Sequence, residues 1–111
     1  MGYQKATTGD VDSVMDADYG GMWFLRDALD ADRLGVSIME LAPGARGKAH
    51  DHAGDGQEEV YVVVDGAVEV ELDGETVALG RNEALRVDPG EHRQLFNRGD
   101  DRARLVVVGS P

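Results

Sequence analysis

The sequence contains no cysteine and only two lysines, Lys5 and Lys48, among its 111 residues. The lack of cysteine excludes disulfides and thiolate metal sites, so any bound metal must use imidazole or oxygen ligands. No apolar run approaches the roughly 20 residues that a membrane-spanning helix needs. Residues 1–10 have neither a basic start nor an apolar centre, and we therefore expect no secretory signal and a cytoplasmic protein.

Positive charge is also scarce, because 22 acidic residues against 11 basic ones leave a formal net charge of −11. We expect such a chain to bind neither nucleic acid nor an anionic membrane surface, since both carry negative charge. Aspartate outnumbers glutamate 14 to 8, while nine of the basic residues are arginine. This bias favours a halophilic protein, adapted to a high-salt cytoplasm in which ions screen its self-repulsion.

Short apolar or alternating segments, separated by turn residues, make up most of the chain. The clearest strand is predicted over 58–64. The pairs Asp65-Gly66 and Asp73-Gly74 on either side of the next strand are typical of hairpin turns. No segment predicts a long helix, which excludes a helix-turn-helix module. The pattern predicts an all-β fold, either an antiparallel sandwich or a barrel of six to eleven strands.

The length of the chain fits one domain with a single hydrophobic core. Residues 1–21 are polar and rich in aspartate and glycine, and we interpret them as a lead-in segment. The β-barrel is predicted over 22–108, and residues 109–111 form a tail.

Two histidines separated by a single residue, His50 and His52, are the first sign of a functional site. In a strand, residues two apart project from the same face, so a strand over 46–52 would present both imidazoles together. The alternative is that both histidines are ordinary surface residues of a polar strand.

A carboxylate pair follows the histidines at Glu58 and Glu59. Strand alternation places Glu59 and Tyr61 on one face and Glu58 on the other. If the strand over 58–64 pairs with the histidine strand, Glu59 meets the two imidazoles. Two imidazoles and one carboxylate suit a first-row divalent ion with positions left open for water or substrate.

The stretch from Gly44 to Gly66 resembles the first motif of the cupin family, G(x5)HxH(x3–4)E(x6)G, with a loop before the glutamate that is two residues longer. This resemblance covers about residues 35–108. It implies a small double-stranded β-helix, or jelly-roll barrel, which forms a homodimer. It also implies a divalent transition metal, either iron, manganese, nickel, copper or zinc, held by three histidines and one glutamate.

The segment 82–97, NEALRVDPGEHRQLFN, is similar to the second cupin motif, G(x5)PxG(x2)H(x3)N, in two alternative registers. Counting back from Asn97 places Arg93 at the ligand position, where a guanidinium cannot bind a cation but can pair with Glu59 or grip an anionic substrate. A shortened turn with a bulge before Asn97 places His92 there instead. With this second register the resemblance implies a metal site formed by His50, His52, Glu59 and His92.

We predict that a small molecule binds in the barrel, and Tyr61, Arg93 and Gln94 are candidates for its pocket. The first functional hypothesis is a metal-binding cupin, either a metal-dependent enzyme (a dioxygenase, isomerase or decarboxylase type) or a relative without activity. The second is a non-catalytic module with a degenerate metal site that binds a small molecule or a sugar through Arg93 and Gln94.

Overall fold

The computed structural model describes residues 2–111, and its regular secondary structure is almost entirely β-strand, which confirms the predicted fold class. A single 3-10 turn, Thr8–Asp10, precedes the strands. The strands are β1 (Gly20–Phe24), β2 (Gly35–Leu41), β3 (Glu58–Asp65), β4 (Val68–Leu72), β5 (Glu75–Leu79), β6 (Ala84–Val87), β7 (Arg93–Phe96) and β8 (Ala103–Ser110). Regular structure therefore begins and ends slightly outside the predicted limits of the barrel. Within residues 2–111, no helix has the length and apolar character needed to cross a membrane.

The strands form two antiparallel sheets that face each other. The larger sheet has the order β1-β2-β8-β3-β6, and the smaller has the order β5-β4-β7. Alternate residues of each strand are buried between the sheets, as Ala103, Leu105 and Val107 are in β8. They pack against residues such as Val70 and Leu95 of the smaller sheet in one hydrophobic core. This alternation explains why period-2 patterning identified the strands.

The two Asp-Gly pairs play different structural roles. Asp73-Gly74 closes a hairpin between β4 and β5, with Leu72 paired to Glu75 and Gly74 at φ 78°. Asp65-Gly66 instead carries the chain from the larger sheet to the smaller one. At Gly66 a side chain is excluded by φ 75° and by the backbone of residues 102 and 103, because a Cβ atom would lie 2.8 Å from the carbonyl oxygen of Arg102.

The histidine segment 46–52 does not pair with β3, and the sequence expectation is wrong on this point. The segment lies beside β7, with isolated bridges from Arg46 to Phe96 and from His50 to Arg93. Its backbone N–H groups at Gly47 and His50 donate to β7 carbonyl oxygens at 2.8 and 3.0 Å. The histidines therefore extend the smaller sheet, and they meet β3 across the space between the sheets rather than along one sheet.

Candidate metal centre

Three side chains converge between the sheets: His50, His52 and Glu59. One potential ligand atom from each lies within 4.8 Å of the others. Nε2 of His52 is 3.3 Å and Nε2 of His50 is 3.7 Å from Oε1 of Glu59. The two imidazole rings meet edge to face, with their centroids 5.0 Å apart. The structure thus brings together three of the four residues that the sequence predicted as ligands.

The other ring nitrogen of each histidine is held by an oxygen acceptor. Nδ1 of His50 lies 2.9 Å from the carbonyl oxygen of Lys48, and Nδ1 of His52 lies 3.0 and 3.2 Å from the two Asp55 carboxylate oxygens. The hydrogen bond from His52 holds the pKa of the Asp55 carboxyl below its usual value. Carbonyl and carboxylate oxygens only accept, so each neutral imidazole donates from Nδ1 and keeps its Nε2 lone pair for a metal.

Nε2 of His52 is buried and has no hydrogen-bond partner among the described residues. An acceptor left unsatisfied in the interior costs free energy, and such atoms are rare unless a ligand or ion satisfies them. A cation placed among His50, His52 and Glu59 would use this lone pair. The donor set, two imidazole nitrogens and one carboxylate, therefore fits a first-row divalent transition metal.

Glu59 points inward and Glu58 points outward, as strand alternation predicts. The side chain of Glu59 is 12% exposed, whereas that of Glu58 is 57% exposed and pairs with Arg86 at 3.2 Å. The buried Tyr61 donates a hydrogen bond of 2.8 Å from its hydroxyl group to Oε1 of Glu59. Burial and the nearby Glu59 charge raise the pKa of Tyr61, so its phenol stays protonated and keeps donating to this carboxylate.

Arg93 occupies the position that a third histidine ligand holds in the cupin motif. Its side chain is completely buried, with Nη1 3.4 Å from Oε1 of Glu59 and Nη2 donating to the Asp88 carbonyl oxygen at 2.7 Å. A buried guanidinium needs a counter-charge, and within residues 2–111 Glu59 is the carboxylate that the structure pairs with it. The register counted back from Asn97 is therefore the one that the fold adopts.

His92 is exposed and lies outside the cluster, so the predicted fourth ligand has to be corrected. The pairing of β7 with β4 is continuous from Arg93 opposite Leu72 to Phe96 opposite Glu69, without the bulge that an inward His92 requires. Because neighbouring residues of a strand face opposite sides, burying Arg93 turns His92 toward solvent. The Glu91 N–H donates to the Asp88 carbonyl oxygen at 3.1 Å and closes a turn directly before β7.

Gln94 was a candidate for the pocket, but its side chain faces away from the cluster. Its amide donates to the Gly47 carbonyl oxygen at 3.0 Å and so ties β7 to the histidine segment. Strand alternation already implied that Arg93 and Gln94 cannot both face the interior. Gln94 therefore supports the position of the histidines and does not line the cavity beside the cluster.

A cavity of about 620 Å³, here called the central cavity, opens beside the cluster. His50, His52, Glu59 and Tyr61 form its polar end. Its remaining wall is mostly apolar and includes Met15, Met22, Phe24, Met39, Leu95 and Val107. The spacing of these methionines in the sequence gives no sign of a cavity, and Met15 reaches its wall because the lead-in segment packs against the hydrophobic core.

A second, more polar cavity of about 380 Å³ reaches the cluster from another side. It shares Phe24, His52 and Glu59 with the central cavity, and Ser37 and Gln57 contribute to its polar wall. Glu59 therefore lines two cavities, one mainly apolar and one more polar.

Comparison with known proteins identifies a family model, described as "Cupin domain", that matches residues 37–109. The polyketide synthase CurC of Streptomyces cyaneus is 38% identical over 78 residues, which cover 70% of this chain and 48% of that protein. A β-D-galactosidase of Mycobacterium tuberculosis is 34% identical over 83 residues, which cover 75% of this chain and 69% of that protein. The chain thus spans about half the length of the Streptomyces relative.

Among solved structures, a sugar phosphate isomerase from Silicibacter pomeroyi, described as a member of the cupin superfamily, superimposes with a TM-score of 0.76. It is 26% identical, and the match covers 91% of this chain and 69% of that one. The agreement supports the two-sheet barrel fold.

Proposed function

The chain belongs to the cupin family, and we propose that it binds a divalent transition metal through His50, His52 and Glu59 and a small molecule in the central cavity. The observation that carries this proposal is the buried, unpartnered Nε2 of His52, which faces Glu59 at 3.3 Å. Both histidines are held by their Nδ1 atoms in the orientation and tautomer that a metal needs.

Three protein ligands leave coordination positions free for a substrate, and the bound metal would supply Lewis acidity or oxygen activation there. The surrounding residues prepare the site. Tyr61 and Arg93 both contact Oε1 of Glu59 and so restrict the orientation of its carboxylate. The apolar wall of the central cavity lowers the local water content and strengthens polar interactions at its end.

For the reaction we propose a dioxygenase, isomerase or decarboxylase type acting on a small molecule. The similar proteins differ in their names: a polyketide synthase, a galactosidase and a sugar phosphate isomerase. One barrel supports many reactions, because the residues around the ligand decide the chemistry.

A second candidate function, a binding module with a degenerate metal site, is favoured by Arg93. The guanidinium supplies a permanent positive charge 3.4 Å from the Glu59 carboxylate oxygen. Part of the negative charge that a metal needs is thus already neutralised, which lowers the affinity for a dication. In this candidate function a small molecule occupies the central cavity without a metal.

Elemental analysis of the tag-free protein distinguishes the two. We expect roughly one equivalent of transition metal in the purified or metal-supplemented protein, and at least a tenfold weaker affinity in the His52→Ala variant, which loses one of three ligands. His92→Ala is the matched control, because this histidine is exposed and outside the cluster. Less than about a tenth of an equivalent after supplementation would overturn the metal site in favour of the binding module.

We also propose, from the charge of −11, that the protein is adapted to high salt. The midpoint of thermal unfolding is expected to rise by several degrees from dilute to molar KCl, because salt screens repulsion among the 22 acidic side chains. Thermal scans in KCl and in NaCl check this, and a similar rise in both salts indicates screening. A midpoint that falls as KCl increases contradicts the proposal.

The homodimer remains a proposal that rests on family resemblance. The valine-rich strands β3 and β8 lie inside the larger sheet, whose edges are β1 and β6. Neither of these strands therefore leaves an unpaired edge that a second copy of the chain would need to cover.

A further inference from the structure

We propose that the central cavity selects a small molecule with an apolar, ring-containing body and an anionic pair of neighbouring oxygens at one end. This inference rests on the proposed function, because the oxygen pair is expected to chelate the metal at His50, His52 and Glu59. It goes further by naming the chemical class of the ligand, and it disfavours a sugar.

The wall of the central cavity favours an apolar ligand body. Away from the cluster, the lining residues are mostly methionines and branched or aromatic apolar side chains, among them Met22, Met39 and Leu95. Such a surface offers dispersion contacts but few hydrogen bonds, and methionine adapts to ligands of irregular shape. A volume of about 620 Å³ lies in the range of pockets that hold drug-sized molecules.

Two exposed apolar side chains also favour an apolar ligand body. Val14 is 66% and Phe24 is 53% exposed, which makes them two of the most exposed large apolar residues in the described part of the chain. Both line the central cavity. Their exposure leaves apolar surface in water, and an apolar ligand body seated against them would remove it.

The polar groups of the cavity do not match a sugar. A sugar ring carries hydroxyl groups around its whole perimeter, and each needs a partner when it is buried. Here the polar side chains are confined to the cluster and to a rim formed by Lys48, Asp51 and Asp55. The middle of the cavity would leave sugar hydroxyl groups unpaired.

The buried positive charge of Arg93 favours an anionic group at the metal-binding end of the ligand. With neutral imidazoles, a bound dication, the Glu59 carboxylate and the Arg93 guanidinium have a formal charge of +2. A third histidine in place of Arg93 would leave +1. Because Arg93 is fully buried, water does not screen its charge, whereas Asp55 at the rim is 53% exposed. An anionic oxygen pair compensates this excess charge.

The test uses the full chain loaded with Co²⁺, whose visible absorption reports directly on chelation, under nitrogen. Three matched probes separate head from body. 2,3-Dihydroxynaphthalene has the apolar body and an oxygen pair that becomes anionic when chelation releases its protons to the buffer, catechol has the same oxygen pair with one ring fewer, and 2,3-dimethoxynaphthalene has the body but no protons to release. We expect 2,3-dihydroxynaphthalene to change the cobalt spectrum and to bind roughly tenfold or more tightly than either of the others. Galactose is expected to produce no binding heat by calorimetry.

A matched pair of variants tests the wall. Phe24 and Leu34 are both 53% exposed, and of the two only Phe24 lines the cavity. Phe24→Ser should weaken 2,3-dihydroxynaphthalene by roughly tenfold and leave acetohydroxamate, a chelator without a ring, unchanged. Leu34→Ser should change neither affinity.

The outcomes separate this inference from the proposed function. Absence of a cobalt spectrum at the site overturns both. A cobalt-loaded protein that binds catechol or 2,3-dimethoxynaphthalene as tightly as 2,3-dihydroxynaphthalene, that binds galactose, or in which Phe24→Ser behaves like Leu34→Ser, overturns the inference alone.

Discussion

Replacing Glu59 by glutamine is expected to destabilise the metal-free protein by about 3 kcal/mol, the range in which removal of one partner from a buried ion pair falls. The physical reason is Arg93, whose side chain has no exposure and whose Nη1 is 3.4 Å from Oε1 of Glu59. Without the carboxylate, the guanidinium remains a buried cation without a counter-charge. Urea unfolding in the presence of a chelator measures the loss without any contribution from a bound metal.

Two comparisons identify the buried charge as the cause. Glu58→Gln removes a neighbouring carboxylate that is 57% exposed and pairs with Arg86, and we expect no measurable change there. In the double variant Glu59→Gln/Arg93→Met both charges are removed, so the free energy of unfolding should return to within about 1 kcal/mol of the wild type. An equal loss in the single and double variants would show that the ion pair contributes nothing, and that the carboxylate acts only through Tyr61 and the histidines.

Replacing Arg93 by histidine is expected to raise the affinity for a divalent transition metal by roughly 100-fold, or about 2.7 kcal/mol. Residue 93 begins β7, is bridged to His50 and faces the space between the sheets. An imidazole there adds a nitrogen donor and removes a positive charge next to Glu59. Competition with a chromophoric chelator gives the two dissociation constants.

Arg93→Met separates the two contributions, because it removes the charge without adding a donor. We expect this variant to lie between the wild type and Arg93→His, with an increase of roughly tenfold. If Arg93→His binds metal no more tightly than Arg93→Met, residue 93 does not reach the coordination sphere and only its charge matters. If neither variant binds more tightly than the wild type, Arg93 does not weaken metal binding at all.

Much of the fold follows from local sequence patterns whose structure depends little on the rest of the chain. Alternation over 58–64 placed Glu59 and Tyr61 inward and Glu58 outward, and Asp73-Gly74 marked a hairpin that the structure contains. These features depend on the geometry of one strand or one turn. The spacing of His50 and His52 likewise predicted that the two imidazoles act together, and both lie beside Glu59.

The prediction that His92 is the fourth ligand is wrong. The choice between His92 and Arg93 depends on contacts with distant segments and not on the second motif alone. His92 and Arg93 are neighbours, and either could face inward if a single bulge were present or absent. The continuous pairing of β7 with β4 and the counter-charge at Glu59 determine that Arg93 is buried. Gln94 then faces away by the same alternation.

The sequence by itself therefore determined the all-β class, the faces of the strands and three residues of the candidate metal centre, because these depend on residue type and a two-residue period. Only the tertiary structure decided that the histidines approach Glu59 from the opposite sheet, that Arg93 replaces a fourth ligand, and that Met15 of the lead-in segment lines the central cavity beside Met22 of β1. Each of these depends on contacts between segments far apart in the chain, for which short-range patterning carries no information.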